Sequence, residues 1–395
     1  MNRRLMNRNS MNRIPMNRRG FLTAAAGLLA LSLEPRELVG QGAPSGPGSV
    51  TPRSGKDPTV TAVTVDPRIE LYYVVLALSD FRGPPGAPAP VMTDLDFPYR
   101  AAVRERFGPF QDHPAVGRYG EMARKGFWMG HPVSTMLHLS PPPALVEEIP
   151  VNEFTVKMAG GRPAMDAFLE DMCRFARDSG FGEWFRERRP FFRRMTAGCR
   201  GRMERDYVAD LVEYFGEARD GYTLILAPLA HPGGFGPRVR LKSGRYAAFA
   251  VIGPKGLEAD VPTFGSPEQK RRLLWHEFSH AHVNHLTDRH LDQLMAPVTV
   301  LQGHTRAEVE RYVPWEVHVA DWVSEHVVRA VTTRLAHREM GPGEGDAALE
   351  KEARRFPHVG LLARRLEAYE SDRERYPTLA AFFPELVEVF RKVAT

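Results

Sequence analysis

Apolar residues recur every three or four positions along much of this chain, a spacing that predicts amphipathic helices. Such segments lie at about 98–106, 115–126, 164–178, 182–198 (interrupted by Pro190), 203–216, 267–285, 306–312, 314–337, 346–355, 358–371 and 377–393. Three apolar runs, at 69–78, 222–228 and 246–252, predict strands. Many helices beside few strands predict an α+β fold with a small sheet and helix-rich N-terminal and C-terminal portions.

The helix predicted at 267–285 carries the pentapeptide His276-Glu-Phe-Ser-His280. Two histidines four residues apart lie on one face of a helix, so both imidazoles can reach a single Zn²⁺. Glu277 lies beside the first histidine, where its carboxylate can take a proton from a zinc-activated water and return it to a leaving amine. The pattern predicts a zinc site with His276 and His280 as ligands and Glu277 as general base.

The surrounding residues favour this zinc site over the alternative of histidines scattered along a surface helix. Ser266 can cap the helix, Pro267 suits its first position, and Gln269 completes a capping box with Ser266. Both histidines fall on the largely apolar side, which is the side that packs inward. His282, two residues further on, points away from that shared face.

A catalytic zinc needs a third protein ligand and an open position. The metzincin pattern requires Gly and His at the positions of Val283 and Leu286, so it is excluded. A downstream carboxylate is left, which is the gluzincin arrangement. An oxyanion donor is also needed, and the candidates are Tyr312, His304, His231 and His318.

The helix predicted at 314–337 offers three carboxylates, Glu316, Asp321 and Glu325. At about 100° per residue, Asp321 falls inside the apolar stripe, and Glu325 and Glu316 fall on its two shoulders. This placement favours Glu325 as a ligand and Asp321 as an acceptor for the free ring N–H of a ligand histidine. The alternatives are an ion pair of Glu325 with Arg329 and a purely structural hydrogen bond for Asp321.

Strands, then the zinc helix, then more helices is the order found in zincins, and this order predicts a zincin-like fold. In zincins an edge strand before the zinc helix pairs with an extended substrate. The run 246–252 is the candidate edge strand here, and an ordinary core strand is the alternative.

The N-terminus has the pattern of a Tat-type export signal, in which Arg18-Arg19 precedes the apolar run 24–33. Residues 1–43 hold seven arginines and two glutamates, a net charge of +5 that equals the net charge of the whole chain. The remainder is therefore neutral, which argues against a nucleic-acid partner. The apolar run is too short for a permanent membrane anchor, so we expect a periplasmic or extracellular protein.

This pattern predicts four segments: a signal peptide with a repeated leader at 1–43, a flexible linker at 44–58, a mostly helical N-terminal portion at 59–216, and a zincin-like catalytic portion at 217–395. Cys173 and Cys199 can pair in an oxidising compartment, but the sequence leaves both the disulfide and free thiols open.

Four stretches, at 70–78, 110–116, 276–284 and 325–330, resemble a family of exported bacterial proteins with a domain of unknown function and gluzincin-like features. The resemblance covers most of residues 60–335. It implies Glu325 as the third zinc ligand and a metallopeptidase activity. Many members of that family have Pro after the Asn of the zinc helix, where this chain has His285.

Together these observations predict a secreted zinc-dependent metallohydrolase, a peptidase acting on a peptide or protein substrate. One alternative is an exported zinc-binding or carbohydrate-binding module without turnover. Another is a hydrolase that uses the same zinc site on a non-peptide substrate.

The leader generates a first prediction. Replacing Arg18 and Arg19 by lysine should block export, because twin arginines are the feature that a Tat signal presents. Immunoblots of periplasmic and cytoplasmic fractions measure this directly. Export that is undiminished in the twin-lysine variant, or an exported form that still begins at Met1, would contradict the prediction.

Overall fold

A computed structural model describes residues 62–83, 90–203, 207–311 and 313–395. The predicted signal peptide at 1–43, the predicted linker at 44–58 and the oxyanion candidate Tyr312 lie outside the described residues. Within the described ranges, no helix is both long enough and apolar enough to cross a membrane.

The described residues combine many helices with short strands, which confirms the predicted α+β class. The helices are α1 (Pro67–Leu78), α2 (Pro98–Phe107), α3 (Pro114–Arg124), α4 (Gly130–Leu137), α5 (Glu153–Met158), α6 (Arg162–Asp178), α7 (Phe181–Glu187), α8 (Arg189–Gly201), α9 (Tyr207–Phe215), α10 (Pro267–Arg289), α11 (Leu291–Gln302), α12 (Arg306–Val309), α13 (Trp315–Met340), α14 (Pro342–Ala353), α15 (Val359–Ser371) and α16 (Leu379–Ala394). The strands are β1 (Ala62–Thr64), β2 (Gly221–Leu226), β3 (Gly234–Phe235), β4 (Arg238–Arg240), β5 (Tyr246–Ile252), β6 (Gly256–Glu258) and β7 (Val261–Thr263).

The main sheet has the order β1-β2-β5-β3, and β4 also pairs with β5. β1, β2 and β5 are parallel, whereas β3 and β4 run antiparallel to β5. Of the two alternatives for 246–252, the structure has the core strand, because β5 has partners on both sides. β3 and β4 cover it, and strands of two and three residues leave too little alternation in the sequence to be recognised.

The prediction of a strand at 69–78 is wrong, since these residues form most of helix α1. The side chain of Asp66 accepts a hydrogen bond of 2.8 Å from the backbone N–H of Arg68, and Pro67 occupies the first turn. Almost the whole helix is buried, so apolar residues lie on every side and the helical spacing is lost. The sequence signal for a helix was the cap formed by Asp66 and Pro67. The continuous apolar run after it is also typical of a buried strand, and the prediction followed that run.

Helix α10 packs against the sheet through aromatic contacts. The rings of Phe278 and Tyr222 meet edge to face at 5.3 Å, and the Tyr222 hydroxyl lies 2.9 Å from His282 Nε2. His282 also stacks on Phe215 at 4.2 Å. Full burial of a side chain such as Phe278 stabilises the fold by about 1.5–3 kcal/mol. These contacts confirm that His282 faces away from His276 and His280.

Polar contacts fix α10 to its other neighbours. Trp275 Nε1 donates to Asp210 Oδ2 of α9 at 3.1 Å, and the Ser324 hydroxyl of α13 donates to the Thr287 hydroxyl at 3.0 Å. At the far end, buried Arg238 of β4 forms an ion pair of 2.8 Å with Asp288. The zinc-motif helix is thereby held on several sides before any ligand binds.

One hydrophobic core extends through the described residues, from Val63 in β1 to Phe390 in α16. The predicted boundary between a helical N-terminal portion and a catalytic portion, at residue 216, stays a prediction. Strand β1 lies before this boundary and pairs with β2, which lies after it. Cys173 and Cys199 are free thiols, so of the two alternatives the structure has the unpaired one.

Candidate metal centre

The capping box predicted for the zinc-motif helix is present at the start of α10. The Ser266 hydroxyl accepts from the backbone N–H of Gln269 at 3.2 Å, and Gln269 Oε1 accepts from the backbone N–H of Ser266 at 3.1 Å. Such a cap stabilises a helix by about 1 kcal/mol. It also sets the start of the helix, and with it the direction in which His276 and His280 project.

The two histidines converge on one point. His276 Nε2 and His280 Nε2 lie 3.2 Å apart, and the two rings are nearly perpendicular. Two nitrogen ligands, each about 2.0–2.1 Å from one tetrahedral zinc ion, would lie roughly 3.3 Å apart. Together with Glu277, these histidines place three potential ligand atoms within 4.8 Å of one another. The donor set therefore fits a metal ion such as Zn²⁺.

Glu325 of α13 faces both histidines from across the helix interface. Its Oε1 lies 3.5 Å from His280 Nε2, and its Oε2 lies 3.8 Å from His276 Nε2. Arg329, one turn further along α13, pairs with Oε2 at 2.8 Å and with Glu352 at 2.6 Å. The ion pair considered as an alternative for Glu325 therefore forms, and the same carboxylate still faces both imidazoles.

The other carboxylates considered as ligands lie differently. Glu316 is exposed at the start of α13, whereas Asp321 is buried. Burial raises the pKa of Asp321 well above its usual range, and the charges of Glu325 and Asp288 add to that effect. Of the three candidates, Glu325 is the one that meets the histidines.

Sequence reasoning missed the group that orients His280. Asn284 Oδ1 lies 3.1 Å from His280 Nδ1 and can accept its N–H, which leaves Nε2 as the lone-pair donor. At His280, the acceptor for the free ring N–H is therefore Asn284, whereas Asp321 was expected to fill this role. The available signal was spacing, because Asn284 follows His280 by four residues and so shares its face of α10.

The electrostatics separate the two glutamates. Burial raises the pKa of Glu277 to about 8, and the charge of Glu325 adds to this. Burial alone would also raise the pKa of Glu325, but Arg329, with smaller contributions from His276 and His280, lowers it to about 2. Glu325 is therefore ionised near neutral pH, as a metal ligand must be, while Glu277 can hold a proton there.

Burial favours the neutral form of both histidines. Burial lowers the pKa of His276 well below its usual range and also lowers the pKa of His280. A neutral imidazole presents the lone pair that a metal requires. In metal-site terms, the chain supplies two neutral nitrogen donors and one anionic oxygen donor.

These side chains form the base of a cleft of about 520 Å³, and β3 forms one wall. The wall passes very close to α10. A Cβ atom on Gly234 would lie 2.6 Å from Glu277 Oε1, and one on Gly236 would lie 2.1 Å from the carbonyl oxygen of Glu277. Glycine is therefore required at both positions for the strand to approach the helix this closely.

Of the three described oxyanion candidates, His231 alone lines the cleft. Burial lowers the pKa of His231 to about 4, so the ring is neutral near pH 7 and can still donate one N–H. His318 is instead buried against the ring of Trp315, and His304 lies in a 3₁₀ turn (Gly303–Thr305). Tyr312 lies outside the described residues.

The family model described as "Domain of unknown function (DUF4932)" matches residues 61–389, so the chain belongs to this family. The predicted resemblance to a domain of unknown function is thereby confirmed, and the zinc and peptidase features stay predictions. The comparisons with curated proteins and with solved structures give no significant match.

The geometry generates a prediction about metal binding. The His276→Ala/His280→Ala double variant should lose bound zinc, because it removes both nitrogen donors. Glu325→Ala should weaken zinc binding far more than Glu316→Ala, because only Glu325 faces the histidines. Zinc content by elemental analysis and affinity by chelator competition measure both effects.

Glu316→Ala is the matched control, since it removes an exposed carboxylate from the same helix. Circular dichroism separates loss of metal from loss of fold. Full zinc content in the double histidine variant would rule out this site. Zinc lost on Glu316→Ala but kept on Glu325→Ala would refute the choice of third ligand.

Proposed function

We propose that the protein is an exported zinc-dependent metallohydrolase of the zincin type that cleaves peptide bonds. The observation that carries this proposal is the convergence of His276 and His280, with Nε2 atoms 3.2 Å apart, on the carboxylate of Glu325 at the base of an open cleft. Glu277 lies beside this point on the same helix. Two histidines, a ligand carboxylate and a separate base are the parts of a gluzincin-type site.

His276, His280 and Glu325 would hold the metal. A bound zinc ion would supply Lewis acidity, polarising a carbonyl and lowering the pKa of a coordinated water towards about 7. The residues of the chain do the rest. Asn284 keeps the ring of His280 in position through Nδ1, and Arg329 keeps Glu325 ionised.

Glu277 is the residue that moves the proton. Its carboxylate accepts a proton from the attacking water and later gives it to the leaving nitrogen. The close approach of Gly234 confines the Glu277 carboxylate, whose Oε1 would lie 2.6 Å from a Cβ at that position.

Strand β3 supports a peptide as the substrate. β3 ends the order of the main sheet, and its residues line the cleft beside the metal-site side chains. An extended peptide can pair with such an edge through main-chain hydrogen bonds. On this proposal, β3 takes the substrate-pairing role that was considered for β5.

Glu277→Gln should retain zinc and fold but lose roughly 10²–10⁴-fold in hydrolysis, because an amide cannot accept the proton. A panel of quenched fluorescent peptides measures turnover, and elemental analysis measures zinc. Glu316→Gln is the control, since it makes the same change at an exposed position. Undiminished turnover by Glu277→Gln would rule out Glu277 as the base. Zinc-loaded wild-type protein that cleaves no peptide would favour a binding module without turnover.

Gly234→Ala should reduce kcat while leaving zinc bound, because the three atoms nearest to the added methyl group would all belong to the side chain of Glu277, which is not one of the proposed ligands. A loss of tenfold or more corresponds to about 1.4 kcal/mol or more in the barrier. Gly117→Ala is the control, since a Cβ there meets nothing within 4 Å. Wild-type kcat in Gly234→Ala would show that this confinement of Glu277 is unimportant.

A further inference from the structure

The cleft above the metal-site residues is lined by more basic than acidic side chains. Its basic residues are Lys255, Arg272, Arg329, Lys351 and Arg355, and its carboxylates are Glu277, Glu325 and Glu352. Since the chain outside its predicted leader is neutral, this excess is local to the cleft. A local excess of one sign of charge selects ligands of the opposite sign.

Arg329 and Arg272 are neutralised within the protein. Arg329 pairs with Glu325 at 2.8 Å and with Glu352 at 2.6 Å. Arg272 pairs with Glu268 at 3.3 Å and with Glu344 at 2.5 Å. Each of these arginines is thus shared between two carboxylates of the protein.

Lys255 is held at the cleft by its backbone. Its N–H donates to the carbonyl oxygen of Thr263 at 2.7 Å, at the base of the β6–β7 hairpin. Its side-chain stem passes Gly265, where a Cβ atom would lie 3.2 Å from Lys255 Cδ. The ammonium group is thus carried on a short, paired segment next to the start of α10.

Lys351 approaches the same cleft from α14. Both lysines are exposed, and partial desolvation lowers the pKa of Lys255, to which repulsion by Lys351 adds. Among the described contacts, neither lysine forms an ion pair with a carboxylate. Two like charges that face one cleft repel each other, and an anion placed between them relieves the repulsion.

We propose that Lys255 and Lys351 bind a carboxylate of the substrate, so that the cleft selects peptides that present a free carboxylate. The peptide part rests on the proposed function, whereas the carboxylate part rests on the charges of the cleft alone. Lysine ammonium groups act as compact point charges for carboxylates. A cleft of about 520 Å³ has room for a ligand much larger than an ion.

Either of two sources could supply the carboxylate, an acidic side chain or the C-terminus of the peptide. Three pentapeptides that differ in the central residue and in the blocking of the C-terminus distinguish these two sources. The first has a central glutamate and both termini blocked, the second has glutamine in its place, and the third is the glutamine peptide with a free C-terminal carboxylate. Calorimetry on the zinc-loaded full chain measures binding at low ionic strength, and cleavage of the same peptides is followed separately.

We expect the glutamate peptide or the free-carboxylate peptide to bind at least about tenfold more tightly than the fully blocked glutamine peptide, which corresponds to one charge-assisted contact. This preference should vanish in the Lys255→Gln/Lys351→Gln variant. It should persist in the Lys242→Gln/Lys392→Gln control, which removes the same charge from exposed positions outside the cleft.

Equal binding of all three peptides, or a preference that survives in the Lys255→Gln/Lys351→Gln variant, would overturn the inference. The proposed function fails in a different way. Cleavage without any charge preference would retain the peptidase and reject the carboxylate site. Lysine-dependent binding without cleavage would support the carboxylate site and count against the peptidase.

Discussion

The candidate site depends on one buried charge, the carboxylate of Glu325. An ionised carboxylate taken out of water costs several kcal/mol unless it is paired and hydrogen-bonded. Arg329 supplies that compensation from one turn away on the same helix, and Glu352 balances the remaining charge of Arg329. Without this network a buried glutamate would be protonated and would lose its value as an oxygen ligand for a metal.

The rest of the site follows from that charge. The negative Glu325 adds to burial in raising the pKa of Glu277, so two glutamates close in space have pKa values of about 2 and about 8. Pairs of carboxyl groups separated in this way divide the work of binding and proton transfer. The fold supplies the required burial through α10, whose polar residues face neighbours on several sides. His282 contacts Tyr222, Thr287 contacts Ser324, and neither belongs to the cleft.

The sequence was sufficient where chemistry is local. Ser266, Gln269 and the pentapeptide predicted the start of α10 and the shared face of its histidines, because capping and helical spacing depend only on neighbouring residues. Residues 69–78 were misread because a helix buried on all sides has no polar stripe. The strand at the edge of the sheet, β3, was not recognised because it has only two residues. Strands this short are defined by pairing with β5, which no local pattern reports.

The central claim is that His276, His280 and Glu325 hold one zinc ion at the base of the cleft. The most direct measurement is an anomalous difference map at the zinc absorption edge, from crystals of protein that carries one zinc per chain. This ligand set predicts a single strong peak about 2.0–2.2 Å from both Nε2 atoms and from a carboxylate oxygen of Glu325. A peak elsewhere in the chain, or one that contacts Glu316 or a cysteine instead, would contradict it.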